Sequence, residues 1–85
     1  MRSTIRVRLF AGARDAVGAP SVPWPVPATG VAIERLLGDL VERYPRLGPI
    51  LRHSRFLVNS EYVDPKRSRV DPGDEFAIHP PYSGG

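Results

Sequence analysis

The residues best suited to do chemistry in this sequence are the last four, Tyr82-Ser83-Gly84-Gly85, which put a carboxylate on an unhindered glycine. Gly makes up about 7% of residues, so a terminal Gly-Gly arises by chance in roughly one chain in 200. A frayed end or a cloning scar is the plain alternative, and the residues before the pair weaken it. Pro80 and Pro81 cannot continue a strand ladder and favour extended geometry, so they lift the end off the domain as a stalk. Six residues from Pro80 to Gly85 reach at most ~20 Å, enough to place the carboxylate in another protein's active site. Without Cβ atoms, Gly84 and Gly85 can thread a narrow channel and leave the terminal carbonyl open to a nucleophile.

Other candidate groups point nowhere as specific. The chain has no cysteine, so disulfides, thiolate metal sites and a cysteine nucleophile are excluded. His53 and His79 are the only histidines. They are far apart without a ligand cluster, whereas a metal site needs about three or four convergent ligands, so no metal is expected. Asp74 and Glu75 read as a turn acid beside a strand-start acid, not an acid–base pair. Ser83 has no adjacent base to make it a nucleophile. No glycine-rich phosphate loop occurs, so no cofactor is expected on this chain and ATP should bind a partner.

Composition agrees with a small single-domain protein. At 85 residues the chain is one domain, expected over 1–79 with a tail over 80–85. Hydrophobic residues are 41%, normal for a globular protein. No basic start precedes a long apolar run, which disfavours secretion and membrane insertion and suggests a cytoplasmic protein. A net charge of +3 and a pI near 10.0 raise nucleic acid as a partner. The arginines are nevertheless scattered among acids without an aromatic-interleaved stripe, so none is expected.

The elements that must hold the tail can be read from periodicity. Thr4 to Phe10 alternates, with Ile5, Val7 and Leu9 on one face of a strand. Ala11 to Gly18 reads as a turn or short loop. In Ser21 to Pro27, prolines at 23, 25 and 27 alternate with Val22, Trp24 and Val26. All three missing N–H groups then face one side, which suits an edge strand paired only on the other. Val31 to Tyr44 carries a helical stripe of Ile33, Leu36, Leu37, Leu40, Val41 and Tyr44, with Thr29 or Gly30 as N-cap and Pro45 as stop. Asp39 and Arg43 are spaced as an ion pair one turn apart.

Arg46 to Arg55 is a connector. Phe56 to Asn59 and Tyr62-Val63 are short strands around Asn59-Ser60-Glu61. Asp71-Pro72-Gly73-Asp74 is a tight turn. Glu75 to His79 is the last strand, with Phe76 and Ile78 on one face. One main helix on one face of a small mixed sheet makes an α+β fold. With first and last strands central and the second at an edge, it is the β-grasp arrangement of ubiquitin.

Val7-Arg8-Leu9-Phe10-Ala11, Tyr44-Pro45, Val58-Asn59, and above all Gly73-Asp74-Glu75 through Pro80-Pro81-Tyr82-Ser83-Gly84-Gly85 resemble the MoaD/ThiS sulfur carriers. Within that family the small subunits of molybdopterin synthase are nearest. The likeness covers essentially the whole chain, and its last thirteen residues are the specific part. Departures are the proline-rich second strand, Asn59-Ser60-Glu61 in place of a glycine-containing turn, and His79 at a generally apolar position.

The resemblance implies that an E1-like adenylating enzyme activates the Gly85 carboxylate with ATP. A sulfur donor protein then converts it to a thiocarboxylate. The tail delivers the sulfur inside the large catalytic subunit of molybdopterin synthase, converting cyclic pyranopterin monophosphate to molybdopterin. The chain itself is then a noncatalytic subunit of a hetero-oligomer. Sulfur for thiamine, cysteine or tRNA remains open, as does a ubiquitin-like modifier joined through Gly85 to lysines. Alternation puts Phe10 and His79 on the sheet face away from the helix, near where the tail departs. The resemblance adds Tyr62 as an interface position. Phe10, Tyr62 and His79, with Pro80, Pro81, Tyr82, Ser83 and Gly84, are therefore the expected partner-binding residues.

Overall fold

The computed structural model describes residues 3–81. The first strand, β1 (Thr4–Leu9), buries Ile5, Val7 and Leu9 and exposes the residues between them. A short helix α1 (Ala11–Val17) follows, where a turn or loop was expected. Ala13 is buried, Ala16 and Val17 pack on the core, and Gly18 ends the helix at φ 90. Seven residues give too little periodicity to register against an alanine-rich background.

The strand β2 (Ser21–Pro25) runs antiparallel to β1, and β1 runs parallel to β7 (Glu75–His79). On the far side, β4 (Arg55–Val58) pairs with β7 and with β5 (Glu61–Val63). The order across the sheet is β2-β1-β7-β4-β5. The first and last strands are central and the proline strand is an edge, which is the β-grasp arrangement. Val26 N–H donates to Ser3 and Leu9 N–H to the Pro20 carbonyl. Pro23 and Pro25 thus turn their missing donors to the open side.

The main helix, α2 (Ile33–Arg43), starts two residues later than the periodicity suggests. Val31 and Ala32 instead form a two-residue strand β3, paired with β6 (Arg69–Val70). Neither Thr29 nor Gly30 caps the helix. Ala32 occupies the N-cap without a side-chain bond, and Ile33 N–H donates to the Ser68 carbonyl at 3.0 Å. A distant chain segment therefore satisfies one of the orphan donors that a local side chain usually takes. Asp39 pairs backwards with Arg35 (3.5 Å), not forwards with Arg43, whose guanidinium lies over the Tyr44 ring.

After α2 come a 3₁₀ turn (Pro45–Leu47) and a one-turn helix α3 (Gly48–Leu51), which bring Leu47 into the core. Ile33, Leu36, Leu40 and Leu47 close over Val7, Phe76 and Ile78, and Phe56 stacks on Phe76. No polar side chain is buried among the described residues.

Candidate functional site

Two tight turns align the strands that carry the tail. Asn59 and Ser60 have φ of 49° and 71°, the two-residue hairpin geometry in which both central residues are left-handed. Asn usually tolerates this through its short polar side chain. Its Oδ1 accepts from Glu75 N–H at 2.9 Å, and its Nδ2 donates to Asp74 at 3.1 Å. In the second turn, Asp74 N–H donates to the Asp71 carbonyl and Gly73 takes φ 89. Gly73 N–H reaches back to Thr4. The start of β7 is thereby tied to both β4–β5 and β1.

The register fixes which side chains share the sheet face away from α2. Arg8, Ala77, Leu57 and Tyr62 form one row across β1, β7, β4 and β5. Alternation was ambiguous for Tyr62; the register places it on the outer face, 65% exposed. At the next row His79 lies opposite Arg55. Phe10 continues the ladder past β1, donating its N–H to the Ile78 carbonyl at 3.3 Å.

The Phe10 and His79 rings are 4.9 Å apart, centroid to centroid. Arg8 lies 5.0 Å over Phe10, and Arg55 5.7 Å over Tyr62. Such cation–aromatic contacts contribute about 0.5–1 kcal/mol each at exposed sites. Arg8 also meets Glu75 at 3.5 Å. A depression of about 120 Å³ opens between Phe10, Leu57, Ala77 and His79. The outcome is a rim of aromatic and cationic groups around a small apolar floor.

This patch stands at the end of β7 where the chain leaves the sheet through half-buried Pro80 and exposed Pro81. Of the expected site residues, Phe10 and His79 meet at that end of the outer face and Pro80 and Pro81 follow His79 in the chain; Tyr62 lies on the same face, two strands from β7. Tyr82, Ser83, Gly84 and Gly85 lie outside the described residues. Arg8 and Arg55 were not singled out by sequence reasoning. Their signal was their place in strands flanking aromatic positions, which only the register pairs correctly. Among the described residues, no three His, Asp or Glu side chains converge as a metal site would need.

The arrangement is an aromatic and cationic face beside the point where the chain leaves the sheet. The sequence profile of the ThiS family matches residues 7–85, from the first strand through the terminal Gly-Gly. The chain belongs to the ThiS family. This ThiS-family chain is 34% identical over 82 residues to the molybdopterin synthase sulfur carrier subunit of Chlamydomonas reinhardtii, covering 95% of the chain and 98% of that protein. It is 32% identical over 83 residues to the human subunit of the same name, covering 95% and 93%.

Among solved structures, SAMP1 from Haloferax volcanii superposes with a TM-score of 0.81 at 27% identity, covering 96% of this chain and 99% of that one. A complex of subunits 1 and 2 of the molybdopterin-converting factor from Helicobacter pylori gives a TM-score of 0.64 at 18% identity, covering 96% and 99%. The latter shares the fold. No helix among the described residues is long and apolar enough to cross a membrane.

Proposed function

We propose that this chain is the sulfur carrier subunit of a molybdopterin synthase, working in the cytoplasm with the Gly85 carboxylate as its reacting group. The observation that carries this reading is near full-length similarity to sulfur carrier subunits, in a family match that runs through Gly85. The fold supports it by ending β7, before Pro80-Pro81, beside the aromatic pair of Phe10 and His79. ATP and the activating chemistry belong to an E1-like adenylating enzyme. The carboxylate oxygen attacks the α-phosphorus and pyrophosphate leaves; sulfide-level sulfur supplied by a donor protein then attacks the acyl carbon, and AMP leaves with the former carboxylate oxygen to give the thiocarboxylate. The thiocarboxylate is delivered into the large subunit, docked on Phe10, Tyr62 and His79. The chain contributes position and the carboxylate, and the large subunit contributes catalysis.

The test is to add one residue after Gly85. The reacting carboxylate is then displaced and hindered, so activation by the adenylating enzyme with ATP is lost while the fold is unchanged. Sulfur transfer to the uncleaved, extended protein would show the mechanism to be wrong.

A second reading, conjugation to lysines, is favoured by the likeness to SAMP1, a small archaeal modifier protein. Intact-mass measurement separates the two. The carrier yields a form heavier by the difference between sulfur and oxygen, localised to Gly85. The modifier yields Gly84-Gly85 remnants on lysines without that form. Lys66 is the only lysine here, so side-chain-linked chains of this protein must run through it.

A further inference from the structure

A second concave surface lies round the corner from the aromatic patch, between α2 and the outer edge of β5. It is a groove of about 680 Å³ whose floor is apolar, formed by Leu37, Leu51, Phe56 and Val63. Its rim is cationic: Arg52, Arg55 and Lys66 border it against the single acid Glu34. None of these three cations takes part in an ion pair among the described residues. The Asp64 carboxylate accepts from the Lys66 backbone N–H at 2.9 Å and meets Arg67 at 3.8 Å.

Two features join this groove to the docking face. Arg55 and Tyr62 line it and also belong to the outer patch, where Arg55 lies over the Tyr62 ring and opposite His79. In addition, among the described residues β5 pairs only with β4 and is the last strand of the sheet. In an antiparallel hairpin the bonded pairs alternate, so the pair beside the two-residue turn, Val58 and Glu61, faces inward. Tyr62 therefore presents its N–H and C=O to the open edge. At the other edge, Pro23 and Pro25 prevent such addition.

We infer that this groove receives an extended segment of the large synthase subunit that carries carboxylates flanking an aliphatic or aromatic residue. The proposal rests on the carrier reading and specifies the chemistry of that partner. The apolar side chain sits on Leu37, Leu51, Phe56 and Val63, and the carboxylates meet Arg52, Arg55 and Lys66. The segment's backbone bonds to Tyr62 as a short added strand, the mode by which extended peptides recognise open sheet edges. The docking surface thus wraps from the outer face around β5 and grips Tyr62 from two sides.

The test is titration of the large subunit with the full chain and with the double variant Arg52→Glu/Lys66→Glu, at low and high salt. Both side chains are exposed, so the fold should survive; far-UV circular dichroism checks it. Should the reversal unfold the protein, Arg52→Gln/Lys66→Gln is used instead. Reversal is expected to weaken binding by about tenfold or more at ~50 mM salt, shrinking to within about threefold at ~500 mM, where exposed charges are screened. A double variant binding as tightly as the parent at low salt overturns the proposal and leaves the carrier reading standing. So does a loss confined to the adenylating enzyme, or a groove found covered by a second copy of this chain in solution. A parent chain that fails to bind the large subunit at all overturns the carrier reading, and this proposal with it.

Discussion

The ring of His79, on the last strand, rests against the ring of Phe10 just beyond the first, with centroids 4.9 Å apart and planes tilted by 42°. The parallel pairing of Leu9 with Ile78 puts these residues side by side at the end of the sheet from which the tail departs. An aromatic pair brought together there by backbone register is already assembled in the free chain, which reduces the ordering cost of binding.

Phe10→Asp should therefore leave the fold intact, because Phe10 is only half-buried and lies off the core. It should weaken binding to the large subunit by about 2 kcal/mol or more, the scale of losing a hot-spot aromatic. Calorimetric titration of both proteins measures the difference. Equal affinity with an intact fold would leave docking to the tail alone.

Asn59 ties two turns together through Glu75 N–H and Asp74. Asn59→Ala removes both bonds and places a less tolerant residue at φ 49. The expected loss is about 1–3 kcal/mol, from two net hydrogen bonds and added backbone strain. Urea unfolding gives the value, and a midpoint unchanged from the parent would contradict the bracing role.

Gly30 and Gly38 should respond oppositely to alanine. A Cβ on Gly30 would meet the Val70 carbonyl oxygen at 2.7 Å and the Asp71 carboxylate, at a φ of +82. Backbone strain at such a position costs on the order of 1–3 kcal/mol, and the carbonyl clash adds to it. Gly38 lies in α2 with nothing within 4 Å of an added Cβ. Gly38→Ala should stabilise by up to about 1 kcal/mol, the helix-propensity difference. Thermal melts of the two variants decide the sign of each.

Replacing Pro23 and Pro25 with valine should restore two backbone donors on the open side of β2 without disturbing its pairing with β1. The expected outcome is increased self-association relative to the parent, since an unguarded edge templates strand addition. Sedimentation velocity over a concentration series reads it. Identical profiles would mean that the prolines do not guard the edge.

Much of this arrangement was legible along the chain because its cause is local. Ile5, Val7 and Leu9 alternate, so a strand with one buried face follows from side-chain geometry alone. The proline spacing marked β2 as an edge because missing donors at alternate residues must face one side. The stripe from Ile33 to Tyr44 specified the main helix.

Other features depended on segments distant in sequence. Val31 and Ala32 left the helical stripe because Val70 and Arg69 offered a strand partner, and the Ser68 carbonyl replaced a local cap. The helix Ala11–Val17 exists because Ala13, Ala16 and Val17 find a core to pack on; isolated seven-residue helices are too short to be stable. Phe10, Tyr62 and His79 became one surface only when β1, β7, β4 and β5 were set side by side in register. Periodicity reports which face a residue takes within its own strand. Which residues stand beside it is settled by hydrogen-bonded pairing between strands, and that requires the folded sheet.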